Sequence, residues 1–303
     1  MPGVAIDLPT AIAAATRLER ILSLFKRSTI MNRSAPAIAF HRVGKTFDVG
    51  GRPYEAIRDF SLDIAAGEFV AIVGASGCGK STLLRLLVGL DTAFDGDIRV
   101  DGEPIDGVGA ERGIVFQEHR LFPWLSVERN VALGIAAQAL PAHAVAQRVA
   151  DAIRLVGLGG FERALPHQLS GGMAQRVAIA RGLVANPRIL MLDEPFGALD
   201  ALTRQQLQDE LLRVRAHERI TTLLVTHDVD EAAYLADRVV VMRPRPGRIG
   251  QVIDIALPRP RERLSYDFHR YREILGALLL SDSKDIGSLH APAYTLELNR
   301  IAR

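Results

Sequence analysis

The sequence predicts an α/β protein built around a largely parallel β-sheet. The first reason is an apolar run at residues 68–73, which stops at a glycine and is followed by helical spacing of apolar residues over 81–90. Two later runs, at residues 189–192 and 221–225, are also short and largely apolar. Strands without an alternating polar face are typical of parallel sheets, because helices cover both of their faces.

The remaining segments can be assigned in chain order. Strand-like spacing precedes and follows a turn-rich stretch at residues 48–53, and its apolar members are Ile38, Phe40, Val43, Phe60, Leu62 and Ile64. The pattern from residue 127 to 183 is helical throughout, which predicts a helical insert in the α/β core. A further strand is predicted at 251–257. The Pro-Arg-Pro sequence at 258–260 then predicts the end of the compact region, and residues 261–280 have helical spacing.

Composition limits the classes of function. The chain has 303 residues, with 37 Lys and Arg against 35 Asp and Glu, which gives a formal net charge of +2. Such a balance does not favour nucleic acid as a partner, since nucleic-acid-binding domains usually carry a strongly basic face. The single cysteine, Cys78, excludes a disulfide within the chain and a zinc site built from several cysteines. No apolar run approaches the ~20 residues that a membrane-spanning helix needs.

Residues 1–36 differ from the rest of the chain. Four apolar residues have helical spacing among basic neighbours, namely Leu18, Ile21, Leu22 and Phe25. This pattern is typical of a helix that lies on a membrane surface. Two other interpretations stay open: a poorly ordered extension, or translation that begins at Met31. The segment is not typical of a signal peptide, because no Lys or Arg precedes Arg17.

A phosphate-binding loop follows the first buried strand. The sequence Gly-Ala-Ser-Gly-Cys-Gly-Lys-Ser at 74–81 matches the pattern G-x-x-x-x-G-K-[ST], in the expected place between a strand and a helix. The glycines allow successive backbone N–H groups to point at phosphate oxygens. We expect Lys80 to reach the β- and γ-phosphates and Ser81 to bind Mg²⁺. The predicted nucleotide-binding residues are Gly74, Ala75, Ser76, Gly77, Cys78, Gly79, Lys80, Ser81 and Thr82.

The cysteine within this loop has two interpretations. A thiol near a helix N-terminus can have a lowered pKa and react with alkylating agents. The interpretation that we favour is that Cys78 is a small residue whose backbone contacts phosphate.

Two carboxylates end a later buried strand. Asp193 and Glu194 directly follow the apolar run at 189–192. Ligands collect at the carboxyl ends of parallel strands, and two acids there predict a metal or proton-transfer role. We expect Asp193 to support Mg²⁺ and Glu194 to act as general base on an attacking water. Together with the phosphate loop, this pair predicts nucleotide hydrolysis.

Four further motifs indicate the type of hydrolase. The sequence Leu-Ser-Gly-Gly-Met-Ala-Gln-Arg at 169–176 closely resembles the signature motif of ATP-binding cassette (ABC) ATPases. Val-Phe-Gln-Glu at 115–118 resembles the Q-loop of that family, Phe-Gly-Ala-Leu-Asp at 196–200 its D-loop, and Val-Thr-His-Asp at 225–228 the segment of its switch histidine. The resemblance covers about residues 37–258. The family's signature usually ends in Gln, where this chain has Met173; the expected phosphate contacts come from the three preceding residues.

The resemblance implies roles for individual residues. It assigns Phe47 to adenine stacking, and it assigns Gln117 both to catalysis and to the metal. His227 is expected to contact the γ-phosphate. Four further residues are expected to bind nucleotide, namely Ser170, Gly171, Gly172 and Asp200.

The resemblance also implies an architecture and an assembly. It predicts a P-loop NTPase (RecA-like) core with an antiparallel β subdomain and a helical insert at about 118–183, and it divides the chain into 1–36, 37–258 and a C-terminal helical tail at 259–303. Two copies would sandwich two ATP molecules head to tail, with Ser170 acting on the nucleotide of the other copy. Separate membrane-embedded permease subunits and an external solute-binding protein would complete the system, with the ATPase at the cytoplasmic face of the inner membrane.

Four segments resemble the importer ATPases for nitrate, sulfonate and taurine, with aliphatic sulfonate importers closest. They are residues 116–125, residues 198–204 with 227–232, and the tail at 253–261. Two alternatives remain: a soluble ABC ATPase of DNA repair or translation, and the cassette of an exporter. The first would be expected to show zinc cysteines, long heptads or two cassettes in one chain, and the second hydrophobic spans.

Overall fold

The computed structural model describes residues 36–283. Its strands are β1 Ile38–Val49, β2 Arg52–Ile64, β3 Phe69–Gly74, β4 Asp95–Val100, β5 Glu103–Pro104, β6 Arg112–Val115, β7 Ile189–Asp193, β8 Thr221–Thr226, β9 Arg238–Arg243 and β10 Arg248–Asp254. Its helices are α1 Lys80–Val88, α2 Val127–Ala132, α3 Ala142–Leu155, α4 Gly171–Leu183, α5 Ala201–Glu218, α6 Val229–Leu235 and α7 Tyr266–Ser283. The segment predicted as an amphipathic helix or extension lies outside the described residues.

Six strands form the central sheet, in the order β10-β9-β3-β8-β7-β6. The pairs from β9 to β6 are parallel, and the edge strand β10 is antiparallel to β9. Strands β3, β7 and β8 are buried at every position. The predicted α/β fold with a largely parallel sheet is therefore confirmed, including the three strands on which the prediction rested.

A second, antiparallel sheet has the order β2-β1-β4-β5. Its inner face carries Phe40 and Phe60, whose rings meet edge to face with centroids 5.3 Å apart. These rings belong to one apolar cluster with α1 and the central sheet. Helix α1 is apolar on several faces and supplies Leu83, Leu84, Leu86 and Leu87 to this cluster. The phosphate loop therefore precedes a helix that is fixed by packing against both sheets.

The segment between β6 and β7 holds α2, α3 and α4. The prediction of helix throughout 127–183 is wrong in detail, because residues 136–141 and 156–165 lie outside helices. Pro141 has extended backbone and precedes α3. Gly157 and Gly160 turn the chain after α3 with φ of 66° and 91°. Proline and glycine thus divide a segment whose apolar spacing alone suggests continuity.

The C-terminal helix α7 packs on the core. Its residues Phe268, Tyr271 and Leu275 are buried, and the ring of Phe268 lies 6.4 Å from that of Tyr234 on α6. The prediction that the compact region ends at 258–260 is therefore wrong, because the chain continues along the core after the prolines. None of the helices within residues 36–283 is long and apolar enough to cross a bilayer.

Gly89 offers a test of the packing behind α1. It ends this helix with φ of 83°, and a Cβ there would lie 1.9 Å from the carbonyl oxygen of Gly107. Gly102 has a similar φ of 86° but nothing within 4 Å of its Cβ position. Left-handed backbone alone costs an alanine about 1–2 kcal/mol. We expect Gly102→Ala to show that cost and Gly89→Ala a clearly larger loss of unfolding free energy in urea titrations. Equal losses would contradict the close approach at Gly89.

Candidate functional site

The phosphate loop joins the end of β3 to the start of α1 and needs glycine at two crowded positions. A Cβ on Gly74 would lie 2.7 Å from Cys78 Sγ, and one on Gly79 would lie 2.3 Å from Ile57 Cδ1. Gly79 also has a φ of 96°. Glycine is therefore required at these positions by close packing against neighbouring strands as well as by the tight turn.

Lys80 is held inside the loop. Its side chain is buried, and Nζ donates to the carbonyl oxygens of Gly74 at 2.8 Å and Ala75 at 3.1 Å. Cys78 is fully buried beside it, and burial raises the pKa of its thiol. The interpretation of Cys78 as a thiol with a lowered pKa is therefore wrong, because desolvation of the thiolate outweighs the nearby lysine.

The loop meets the acids that end β7. Ser81 Oγ donates to Asp193 Oδ1 at 3.1 Å, although the two residues are 112 positions apart in the chain. Burial raises the pKa of the Asp193 carboxyl, the hydrogen bond from Ser81 opposes this rise, and the neighbouring charge of Glu194 adds to it. The structure thus places a hydroxyl and a carboxylate, both suitable ligands for Mg²⁺, next to the phosphate loop.

Glu194 is contacted from two other loops. Its Oε2 accepts a hydrogen bond from Gln117 Nε2 at 3.2 Å and lies 3.1 Å from His227 Nδ1. The side chain of Glu194 is mostly buried, whereas that of His227 is two-thirds exposed. Glu194 has a φ of 46°, a left-handed conformation that costs energy in a residue with a side chain. Two of the three predicted catalytic residues therefore contact one carboxylate oxygen of the third.

A buried glutamate behind the histidine was missed in the sequence. Glu231 lies in the first turn of α6, and its Oε2 accepts from Thr226 Oγ1 at 2.7 Å. Burial raises the pKa of Glu231 to about 7, and the charge of Asp228 adds to the rise. Asp228 in turn caps α6 by accepting from the backbone N–H groups of Asp230 and Glu231. Glutamate in the first turn of a helix is usually exposed, so its sequence position carried no signal of burial.

The signature residues lie at the N-terminus of α4. Ser170 caps this helix, with its Oγ accepting from the backbone N–H of Met173 at 3.2 Å. A Cβ on Gly172 would lie 3.5 Å from the carbonyl oxygen of Ala198 in the predicted D-loop. Asp200 caps α5, and the hydrogen bond from Thr203 N–H lowers the pKa of its carboxyl. Within residues 36–283, no hydrogen bond or ion pair joins Ser170 to the phosphate loop of its own chain.

The body of α4 holds the segment around Gln117. Gln175 is buried, and its Nε2 donates to the carbonyl oxygen of Phe116 at 3.3 Å. Arg181 donates to the carbonyl oxygens of His119 and Arg120, both at 2.8 Å. The guanidinium of Arg120 lies 4.2 Å from the ring centre of Phe116. The helix that begins at the signature motif is therefore tied to both sides of Gln117.

Three aromatic residues near the predicted site, Phe47, Phe122 and Trp124, are exposed. Phe47 lies near the end of β1, 37% exposed, with Lys45 Nζ 4.9 Å from its ring centre. Phe122 and Trp124 follow the Gln117 segment, with their rings 5.5 Å apart and Trp124 70% exposed. A cavity of about 440 Å³ adjoins the Gln117 segment and is lined by Ser81, Arg85, Leu90, Phe116, Gln117, Glu118, Arg120 and Asp193.

Comparison with known proteins agrees with this geometry. A family model described as ABC transporter matches residues 57–197. A protein of Xanthomonas axonopodis pv. citri named as an aliphatic sulfonates import ATP-binding protein is 49% identical over 235 residues, which cover 77% of this chain and 92% of that protein. The chain belongs to the ABC transporter ATP-binding proteins. It is an ABC transporter ATPase.

Other members of the family are similarly close. The aliphatic sulfonates import ATP-binding protein of Bacillus subtilis is 46% identical, over 76% of this chain and 89% of its own. An uncharacterized ABC transporter ATP-binding protein of Methanocaldococcus jannaschii is 48% identical, over 76% of this chain and 86% of its own.

Solved structures of ABC cassettes share the fold of this ATPase. A dimeric cassette in a post-hydrolysis state, bound to ADP and Pi, has a TM-score of 0.67 at 30% identity and covers 73% of this chain and 100% of its own. The cbiO1 protein of Clostridium perfringens, part of an ABC transporter complex, has a TM-score of 0.64 at 30% identity, over 73% of this chain and 90% of its own. The family's cassettes thus bind and hydrolyse ATP, and relatives of this chain form dimers.

The raised pKa of Glu231 predicts a pH-dependent stability. Between pH 4.5 and about 7 the folded protein keeps a proton that the unfolded chain releases, so stability falls as pH rises through this window and levels off above it. Replacing Glu231 with Gln removes this loss while an amide oxygen still accepts from Thr226. At pH 8 we expect Glu231→Gln to unfold at a higher temperature than the unmodified ATPase, with a free energy of unfolding that is larger by at most about 3 kcal/mol. Near pH 4.5 we expect the two proteins to have the same stability. Thermal unfolding at both pH values measures this.

The matched control is Glu273→Gln on the exposed face of α7, which should change neither value by more than about 0.5 kcal/mol. A Glu231→Gln protein that is equally destabilised at both pH values would show that packing, and not the proton, decides its stability.

Proposed function

We propose that this ABC transporter ATPase is the motor of an importer, and that it hydrolyses two ATP molecules in a head-to-tail dimer. The observation that carries the proposal is the meeting of Lys80, Ser81, Asp193 and Glu194 at one edge of the sheet while Ser170 lies at a separate helix end. One chain thus offers charge neutralisation on one side of a γ-phosphoryl group. A second copy supplies the other side.

The phosphates bind to the loop at 74–82. Backbone N–H groups and the N-terminus of α1 face the anion, and Lys80 gives up its carbonyl partners to bind the β- and γ-phosphates. Phe47 stacks on adenine, and its exposed ring near the end of β1 supports this role. Asp200 completes the nucleotide-binding set from the D-loop.

The residues beside the loop fit Mg²⁺. The ion prefers oxygen ligands and octahedral geometry, and Ser81 and Asp193 offer oxygens that lie 3.1 Å apart. Ser81, Asp193 and the amide oxygen of Gln117 would hold the ion together with phosphate oxygens. When bound, Mg²⁺ neutralises charge on the phosphates.

Glu194 accepts a proton from the attacking water. Gln117 and His227 contact the same carboxylate oxygen and so orient it. His227, mostly exposed, turns toward the γ-phosphate when nucleotide is bound. Proton transfer by a positioned carboxylate accelerates such reactions by about 10²–10⁴-fold.

The signature residues act on the nucleotide of the other copy. Ser170, Gly171 and Gly172 present a hydroxyl and backbone N–H groups at the N-terminus of α4, a 13-residue helix, where anions are favoured. The dimer closes around ATP and opens after hydrolysis, and these two states form a switch. The ties from α4 to the Gln117 segment link this switch to the nucleotide of the same chain.

Separate permease subunits receive the work of this switch. The 440 Å³ cavity beside Gln117 and the exposed pair of Phe122 and Trp124 suit a docking helix of such a subunit, since aromatic side chains are favoured interface anchors. The ATPase is then a peripheral subunit at the cytoplasmic face of the plasma membrane. A solute-binding protein outside the membrane delivers the solute.

The proposed solute is an aliphatic sulfonate. The names of the relatives from Xanthomonas and Bacillus support this choice, and taurine and nitrate-like anions are the alternatives of similar chemistry. Copurification with a permease, followed by uptake assays with each anion, decides between them. Purification without a permease partner would instead favour a soluble ABC ATPase.

Glu194→Gln tests the general base. The amide keeps the size of the side chain but cannot accept the proton, so we expect unchanged ATP binding and a fall in turnover of about 100-fold or more, with a dimer that persists in ATP. Phosphate-release kinetics and light scattering measure both. Lys80→Ala is the contrast, since it should weaken ATP binding itself. Near-normal turnover in Glu194→Gln would remove Glu194 from this role.

Catalysis across the dimer is tested by crosslinking. Ser170 and Ser76 are both exposed, so cysteines can be placed there in a Cys78→Ala background. We mix one chain carrying Ser170→Cys with another carrying Ser76→Cys, each with Glu194→Gln to slow hydrolysis. A crosslinked heterodimer is expected only with ATP. A comparison protein carries both Ser170→Cys and Ser76→Cys in one chain. If crosslinks form only within that single chain, the sandwich arrangement is wrong.

A second experiment checks the same arrangement without crosslinking. Ser170→Arg should leave ATP binding to the monomer intact, because this residue does not contact its own phosphate loop, but it should prevent the closed dimer. Mixing Ser170→Arg with Lys80→Ala should restore one composite site, and with it part of the ATPase activity.

A further inference from the structure

The C-terminal end of α6 is satisfied by two arginines that follow β10. The last carbonyl groups of a helix lack partners within the helix and must find donors elsewhere. Ala232 accepts from the backbone N–H of Ala236 at 3.0 Å. The next four carbonyls accept from Arg259 and Arg261, which we call the arginine clamp.

Arg261 supplies most of these hydrogen bonds. Its guanidinium donates to the carbonyl oxygens of Ala233 at 2.8 Å, Tyr234 at 3.0 Å and Ala236 at 2.6 Å. Arg259 donates to the carbonyl oxygen of Leu235 and pairs with Asp237. Every carbonyl from residue 232 to 236 therefore has a donor. A cation at this position also complements the partial negative charge of the helix end.

The same guanidinium holds the outgoing chain. Arg261 also donates to the carbonyl oxygens of Ile255 at 3.1 Å and Leu257 at 3.4 Å. Its side chain is only 6% exposed, and burial lowers the pKa of the guanidinium to about 10, which leaves it charged at neutral pH. Burying a cation is costly unless its donors are satisfied, so five carbonyl partners fix its place closely.

The N-terminal end of α6 lies next to His227 in the chain. Asp228, the residue after His227, caps the helix, and Glu231 in its first turn is hydrogen-bonded to Thr226. Arg272 of α7 pairs with Asp230 in the same turn. Helix α6 has only seven residues, so its two ends lie only about 10 Å apart. A shift at its clamped end therefore displaces the backbone next to His227.

We propose that Arg261 is a positioning residue for ATP hydrolysis, which holds α6 so that His227 stays in reach of Glu194 and the γ-phosphate. The inference rests on the role of His227 in the proposed function. In this role the Pro-Arg-Pro-Arg segment at 258–261 contributes to catalysis and is not simply the end of the compact region. The C-terminal helix α7, attached through the same segment, is thereby connected to the rate of hydrolysis.

The test separates positioning from general folding. Arg261→Met keeps the apolar stem of the side chain but removes all of its donors, and we expect kcat to fall about ten- to a hundredfold, as a displaced catalytic group does. The dissociation constant for ATP should stay within about twofold, because the hydrogen bonds of Arg261 go to residues 233, 234, 236, 255 and 257 and not to the phosphate loop or Phe47. Arg213→Met, on the exposed face of α5, is the control and should change neither value.

A double-mutant cycle identifies the route. If Arg261 acts through His227, adding Arg261→Met to His227→Ala should lower the residual kcat by less than twofold, since the group that it positions is already absent. Multiplying losses, or unchanged kcat in a folded Arg261→Met protein, would overturn the inference. If His227→Ala itself leaves kcat unchanged, the proposed role of His227 fails instead.

A second variant guards against loss of folding. Arg261→Lys keeps a cation in the clamp but cannot reach five carbonyls from one nitrogen. Should Arg261→Met not fold, Arg261→Lys is expected to show a several-fold lower kcat at unchanged ATP affinity, and that loss should also disappear in the His227→Ala background. An unchanged kcat in this folded variant would overturn the inference in the same way.

Discussion

The adjacency of three parallel strands is the constraint on which the site depends. Strands β3, β8 and β7 are neighbours, with Val73 paired to Thr226 and Asp193 paired to Val225. Parallel neighbours end at the same edge, about 4.8 Å apart. The phosphate loop, the histidine and the two acids therefore emerge side by side from segments far apart in the chain. Packing of α1 between the two sheets fixes the loop relative to these strand ends.

Much of this arrangement could be predicted from the sequence. The phosphate loop and the acid pair each follow an apolar run, and their convergence follows from the rule that parallel strands end together. The contact between Ser81 and Asp193 is the direct result. The places of Gln117 and His227 came from family resemblance alone, because the path of a loop after its strand depends on backbone geometry that residue types do not reveal.

Other features could not be predicted, for physical reasons. Arginine hydrogen bonds to backbone carbonyls leave no pattern in the partner, since every residue carries a carbonyl. Arg261 was therefore assigned only to the C-terminal helical tail, although it is buried. Cys78 shares an apolar cluster with Met242, which is distant in sequence, and Glu231 is buried although it lies in the first turn of a helix. Breaks within the helical segment depend on single glycines whose φ values only the backbone shows.

The backbone at Glu194 has a consequence for how such a protein changes under selection. Its φ of 46° favours glycine or asparagine, yet neither has a carboxylate that reaches Gln117 and His227. The backbone conformation and the catalytic role thus favour different residues at position 194. A library screened for heat resistance alone would drift at position 194 toward residues that relax the backbone. It would accumulate proteins that are more stable but no longer hydrolyse ATP.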